Sequence, residues 1–491
     1  MTSSTSSDTE SPQVFDRIGD YLEFYSERTP EAVAIVFENL RIDYAELKRR
    51  VDECAMALYA AGIRKGARVA MMCTARPEFW IVFLATTRIG AIWVGLNPKY
   101  RLREMRHVVS DAEPVMLVAM AEFDGRHYAD DIEDLKRCAP SLTNVVGIGD
   151  LGGDYIEFDV FTKSLSNCDL HAYAEACATV KKTDPALIVY TSGTTGVPKG
   201  AVLSHLSITA GAMLQTEHLR VPHPSMIVSF PINHVACVAD TCATTFVKGG
   251  KIVFQERFDA EMMLSAIESE RCTFLGGVPT MIQMMLAHPD FEKTDFTSVE
   301  LIAWGGAPMP RDGIIKLQKH CARLMSLYGM TETAAHVVFG EEGASVEQMT
   351  GSIGKPDPSI GCRIVDECGK PCAIGDAGEL QFKAEFLMVG YWQNPKATEE
   401  AFTDNGWLKT GDLAEWREDG TIRLVGRKSE MFKSGGYNVY PREIEATLES
   451  VPGVAMAAVI GVADDLFQEV GHAFVMPDGT EEISSESLRQ A

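Results

Sequence analysis

Leu187-Ile188-Val189-Tyr190-Thr191-Ser192-Gly193-Thr194-Thr195-Gly196-Val197-Pro198-Lys199-Gly200 joins an uninterrupted apolar run to a loop of hydroxyls, glycines and one lysine. A short apolar run bounded by turn residues reads as a buried strand. In the loop, glycines let the backbone turn its N–H groups inward, and Thr191, Ser192, Thr194, Thr195 and Lys199 supply further donors. That is the composition of an anion nest for phosphate oxygens. It is not the G-x-x-x-x-G-K-[ST] phosphate loop, because Lys199 is followed by Gly200 and the glycine spacing differs. The bland alternative is a polar turn, and the density of donors weighs against it.

Outward from this loop the chain alternates helical and strand-like segments. Leu47 to Ala61 repeats apolar residues at helical spacing, Arg68 to Met72 reads as a buried strand, Glu78 to Ile89 as helix and Ala91 to Val94 as strand. Val115–Val118 precedes the loop, and Ile227–Phe230, Lys251–Phe254, Thr273–Gly276 and Glu300–Trp304 follow it as further strands. The alternation predicts an α/β fold with largely parallel, covered sheets. From about Gly361 the texture changes to short strands separated by Gly, Asp and Pro turns, a small β-rich subdomain. Gly426 to Glu430 reads as a junction, followed by a strand–helix–strand pattern. The domains expected are a disordered tail over 1–15, a large N-terminal domain over 16–426 and a small α+β domain over 427–491, hinged near 427–430.

The chain has 491 residues, 46% of them hydrophobic and 23% charged, enough to bury a large core. Its net charge of −24 disfavours nucleic acid and anionic membrane surfaces as partners. The N-terminus lacks the basic and apolar regions of a secretory signal. The most apolar window, Trp80 to Leu96, is interrupted by Thr86, Thr87 and Arg88 and is too short to span a bilayer. Of twelve scattered cysteines only Cys368 and Cys372 come near a ligand pair, with no His/Cys partner set beside them, so they read as reduced thiols of a cytoplasmic protein.

The segment from Tyr190 to His205, YTSGTTGVPKGAVLSH, resembles the signature loop of the adenylate-forming superfamily: acyl- and aryl-CoA synthetases, peptide-synthetase adenylation domains and beetle luciferases. Other segments match in the family's order. Gly305-Gly306-Ala307-Pro308 resembles the stretch along the nucleotide, and Tyr328-Gly329-Met330-Thr331-Glu332 the adenine and magnesium motif. Thr410-Gly411-Asp412 resembles the ribose motif. Gly426-Arg427, Lys433-Ser434-Gly435-Gly436-Tyr437 and Pro441-Arg442-Glu443-Ile444-Glu445 resemble the hinge and thiol channel. The likeness covers nearly all of residues 16 to 480 and is nearest to fatty-acid and aryl-acid CoA ligases.

The resemblance implies stacked α/β subdomains, a β-barrel-like subdomain and a mobile C-terminal lid. It implies ATP, Mg²⁺ and coenzyme A, with Thr191, Lys199, His234, Glu332 and Lys433 in catalytic roles. Each residue suits its role. Asp412 can accept from a ribose diol, the Tyr328 ring can stack on adenine, and Thr331 can donate to the α-phosphate. Glu332 is a hard oxygen ligand for Mg²⁺. Arg427 can reach the ribose from the hinge. The implied reaction makes an acyl-adenylate and then a thioester.

Pro231-Ile232-Asn233-His234 resembles the family's P-x-x-H segment, whose histidine flanks the acid carboxylate. With Val235 and Val238 on one side and Ala303, Trp304, Gly305 and Met330 opposite, it outlines an acyl pocket. The amino-acid-activating branch usually carries an Asp near this segment; here Asn233 and His234 stand there, with Asp240 not far behind. An uncharged acyl or aryl acid is therefore expected.

Two departures stand out. The hinge position usually held by Asp or Lys is Ser429, and no lysine follows Lys433, whereas the family places one near its C-terminus to bridge acid and α-phosphate. The resemblance implies that the last segment of the C-terminal domain is missing and adenylation slowed about 10²–10³-fold, with thioester formation retained. A carrier-protein-loading enzyme and a catalytically impaired nucleotide- and acid-binding protein stay open as alternatives. So do the acid's chain length and whether the protein forms a homodimer.

Overall fold

The computed structural model describes residues 14–164, 168–191, 197–434, 437–464, 466–477, 479, 483–485 and 488. Of the tail expected over 1–15, only Val14 and Phe15 fall among them. The chain divides into two compact units, residues 1–337 with 385–395, and residues 338–384 with 396–491.

In the first unit, one sheet runs in the order Leu324–Gly329, Leu301–Gly305, Phe274–Gly277, Ser225–Val228, Lys251–Phe254, Val33–Phe37, Leu40–Asp43. These pairs are parallel except the last, a hairpin. Their near-continuous burial is what parallel strands covered on both faces require. Ser225–Val228 has its chain successor Lys251–Phe254 on one side and Phe274–Gly277 on the other. The crevice at the carboxyl ends of strands around such a switch point is where open α/β sheets bind ligands.

The second sheet of this unit runs Gly390–Tyr391, Lys199–Ser204, Pro185–Thr191, Ile92–Leu96, Arg68–Met72, Met116–Met120, Asn144–Ile148, Ile156–Glu157. Pro185–Thr191 pairs in parallel with Ile92–Leu96 but antiparallel with Lys199–Ser204, with Thr191 opposite Lys199. Lys199 and Gly200 thus begin a return strand rather than lying in the loop, which is the crossing of a hairpin. Gly200 permits that return, because a Cβ there would lie 2.7 Å from the Ile188 side chain.

Between the two sheets lies the helix Pro77–Arg88, which takes up the first part of the apolar window Trp80 to Leu96; the window ends in the strand Ile92–Leu96. The helix's side chains are buried from Phe79 to Thr87, so it belongs wholly to the core. The Phe79 ring lies 6.1 Å from Phe254 of one sheet and 5.5 Å from Trp93 of the other. No helix among the described residues is long and apolar enough to cross a membrane.

The second unit holds an antiparallel meander, Gly361–Val365, Gly378–Lys383, Leu408–Trp416, Ile422–Arg427. A further sheet runs Tyr437–Val439, Phe432–Ser434, Gln468–Pro477, Val454–Asp464. The helix Pro441–Glu449 packs on it through a core of Phe432, Leu448, Ala457 and Val459. Residues Lys428–Glu430 form an exposed turn after the last meander strand, where the hinge is expected.

Candidate active site

Both feet of the signature loop are fixed. Tyr190 donates its hydroxyl to Asp111 Oδ2 at 2.6 Å, and burial together with that carboxylate drives the phenol pKa far above its usual range. Trp392 N donates to the Gly200 carbonyl at 2.7 Å, and His107 Nε2 donates to the Pro198 carbonyl at 2.8 Å. Ser192, Gly193, Thr194, Thr195 and Gly196 lie outside the described residues. Thr191 and Lys199, at the two ends, are brought face to face by the hairpin.

The Lys199 ammonium lies 5.4 Å from the centre of the Tyr391 ring, a cation–π distance. The Tyr391 hydroxyl donates to Glu332 Oε1 at 2.7 Å. Burial and the Glu332 carboxylate raise the Tyr391 pKa, keeping it a protonated donor at neutral pH. One tyrosine therefore joins the cation at the loop's foot to the buried carboxylate of Glu332. The sequence reading missed it, because Tyr391 lies far along the chain in a short strand whose only signal is an aromatic pair between Gly390 and Pro395. Among the described residues no cluster of three or more His, Cys, Asp or Glu could cage a metal. A lone Glu332 suits Mg²⁺ that takes its remaining ligands from phosphate and water.

Tyr328 is the penultimate residue of the strand Leu324–Gly329 and is buried, and Thr331 and Glu332 open a tight turn after it. Thr333 Oγ1 closes this turn, accepting from Met330 N and donating to the Ala335 carbonyl, each at 2.8 Å. Ala334 adopts a left-handed φ of 60°, uncommon without glycine. A Cβ on Gly329 would stand 2.4 Å from the Ala335 carbonyl oxygen, so only glycine fits beneath the turn. The turn returns His336 to the same sheet edge. There Ala303 and Trp304 are buried, while Gly306, Ala307 and Pro308 are exposed, Gly306 with φ 82°.

His234 follows the strand Ser225–Val228 at the switch point. Its Nδ1 accepts from Ala236 N at 3.1 Å, which places the proton of the neutral ring on Nε2 and makes that atom a donor. The residue is exposed along one side, yet surrounding protein lowers its pKa by desolvation, with Asp240 opposing, so the ring is neutral at pH 7. A neutral donor is suited to orienting a carboxylate without trapping it as an ion pair. The chain then enters a π-helix, Ala236–Ala243, that buries Val238 and Cys237. Helices of this kind are rare and concentrate at functional sites.

In the second unit, Asp412 lies opposite Arg427 in the meander, with Arg427 Nε 3.3 Å from Asp412 Oδ1. Thr410 Oγ1 accepts from Asp412 N at 3.0 Å and donates to the Leu380 carbonyl at 2.7 Å, fixing the carboxylate's base. Lys433 is exposed in the strand Phe432–Ser434, its N–H directed at Glu469. Gly435 and Gly436 lie outside the described residues. The expected site residues thus fall into two sets, the loop, Tyr328–Glu332, Gly305–Pro308 and His234 in the first unit, and Asp412, Arg427 and Lys433 in the second.

Residues 22–392 match the family model of the AMP-binding enzyme, and residues 443–491 that of the AMP-binding enzyme C-terminal domain. The chain is 33% identical over 463 residues to a feruloyl-CoA synthase from an Amycolatopsis species, covering 94% of this chain and 88% of that one. It is 30% identical over 506 residues to the mouse mitochondrial medium-chain acyl-CoA ligase ACSF2, covering 98% and 82%. The ATP-bound structure of MatB from Rhodopseudomonas palustris superposes with a TM-score of 0.81 at 28% identity, covering 96% of this chain and 91% of that one. With the signature hairpin, the Lys199–Tyr391–Glu332 link and the neutral His234 at a sheet switch point, these likenesses make the chain an adenylate-forming enzyme, a member of the AMP-binding family that contains the acyl- and aryl-CoA ligases.

Proposed function

We propose that this enzyme activates an uncharged acyl or aryl carboxylic acid with ATP and passes the acyl group to the thiol of coenzyme A. In the first step a carboxylate oxygen attacks the α-phosphorus; the new O–P bond forms as the bond to pyrophosphate breaks. In the second the thiolate sulfur attacks the acyl carbon, and AMP leaves with the electrons of the C–O bond. The protein's part is positioning and charge stabilisation. Lys199 supplies a cation for phosphate oxygens, Glu332 would hold Mg²⁺, which would neutralise phosphate charge, and His234 Nε2–H orients the acid. The family resemblance assigns the ribose to Asp412 and Arg427, and the thiol to Lys433, Gly435 and Gly436. The observation that carries the reading is the buried carboxylate of Glu332, tied through Tyr391 to Lys199 at the foot of a donor-rich loop.

All twelve cysteines are free thiols, which supports a reducing compartment such as the cytoplasm. Loading of a carrier protein is the second reading, since phosphopantetheine presents the same thiol. Mass spectrometry of the 491-residue chain with ATP, Mg²⁺ and an acid panel, with and without CoA, separates them. Acyl-CoA and AMP formed only with CoA are expected. Acyl-adenylate that accumulates with CoA untouched would favour a carrier protein, and ATP binding without turnover would favour an impaired binding protein.

A further inference from the structure

Gly95 lies in the strand Ile92–Leu96 of the second sheet, and a Cβ there would stand 2.6 Å from the Cα of Asn233. A glycine inside a strand often marks such a close approach of another backbone. The turn that presents His234 therefore rests directly on the neighbouring sheet. His234 N donates to the Pro231 carbonyl at 3.1 Å to close this turn, with Asn233 at its corner. From that corner Asn233 Nδ2 donates to the Tyr100 hydroxyl at 2.7 Å. The other end of the amide, Oδ1, is shut off from solvent and accepts no hydrogen bond.

Tyr100 stands on a loop that is itself held in place. Lys99 N donates to Asn97 Oδ1 at 2.9 Å, and the Tyr128 hydroxyl donates to the Pro98 carbonyl at the same distance. Arg126 Nη1 donates to the Tyr100 carbonyl at 2.6 Å, while Nε and Nη2 of the same guanidinium grip Asp131. An amide with one end buried and unpaired costs stability that an apolar side chain would spare, and native proteins rarely leave such a group without a use. We propose that Tyr100 and Asn233 are positioning residues for His234, the hydrogen bond between them fixing, from the second sheet, the direction in which Nε2–H meets the acid. This rests on the acid-activating reading above and deepens it. Tyr100 precedes Asn233 by 133 residues, so the P-x-x-H segment alone gives no sign of it.

Tyr100→Phe keeps the ring and removes only the hydroxyl. In steady-state kinetics KM for the acid should rise about 3–10-fold, the worth of one hydrogen bond, with KM for ATP unchanged. Asn233→Ala should do the same, and the double variant should be no worse than Tyr100→Phe alone. In a His234→Ala background Tyr100→Phe should cost less than about 1.5-fold, because a residue that acts through His234 then has nothing left to position. Melting curves confirm that each variant is folded. An equal rise in KM for both substrates, or the same loss with His234 absent, overturns the proposal and leaves acid activation intact. A second readout needs no turnover. The His234 imidazole, followed by NMR, titrates below 6.5 in the unaltered enzyme because surrounding protein desolvates it, and it should move up toward 6.5 in Tyr100→Phe as water reaches the loosened turn. If no acid is turned over, the acid-activating reading fails and this titration alone decides, an unmoved value overturning the positioning role.

Discussion

Tyr391 occupies a position that a mutation can interrogate without disturbing the fold. Its ring lies under the Lys199 ammonium and its hydroxyl donates to Glu332, so it is a positioning residue for both. Tyr391→Phe keeps the ring and deletes one hydrogen bond to a carboxylate. The expected outcome is a fall of about 10-fold in kcat/KM for ATP, partly recovered by higher Mg²⁺, with KM for the acid unchanged. Steady-state kinetics with ATP and acid varied separately check this. Equal loss against both substrates would mean a general loosening instead. The same residue marks a limit of sequence reading: Glu332 stands in a recognisable motif, whereas its partner's importance exists only because a late strand pairs with Lys199–Ser204.

At the scale of elements, the helix His205–Leu219 starts where the returning signature strand ends, capped by Ser204. Its first residue, His205, is buried with both ring nitrogens unpartnered, and desolvation, with a smaller push from Arg17, lowers its pKa from 6.5 to about 4. A folded-state pKa below the unfolded one means that the unfolded chain binds the proton first. The helix start is thus fully stable above 6.5 and weakens as the pH falls from there toward 4, by about 3 kcal/mol in all. Urea titrations at several pH values check it, since in His205→Leu this part of the acid sensitivity should vanish. Strands with continuous apolar runs, such as Arg68–Met72 and Lys251–Phe254, were legible residue for residue. The antiparallel return of Lys199–Ser204 was not, because a glycine-rich connection gives no sign of its direction. Nor was the π-helix, whose apolar spacing is that of an ordinary buried segment.

For the whole molecule, a net charge of −24 repels the polyanion that the enzyme must bind. The repulsion acts over the Debye length, about 30 Å at 0.01 M salt and 8 Å at 0.15 M. Raising NaCl across that range should therefore increase kcat/KM for ATP severalfold, the reverse of an enzyme steered by a basic surface. Stopped-flow binding of a fluorescent ATP analogue checks the sign. The compact first unit also takes in residues 385–395, supplied after the chain has built part of the second. Gly390–Tyr391 is the partner of Lys199–Ser204 and the source of the hydroxyl on Glu332. On the ribosome, roughly 190 residues separate the synthesis of those two strands, about 10–40 s at 5–20 residues per second. Throughout that interval the nascent protein displays an unpaired strand edge beside its nucleotide loop, a template for wrong pairing. Only when Tyr391 emerges do the closing of that edge and the completion of the catalytic carboxylate's surroundings occur, in one event.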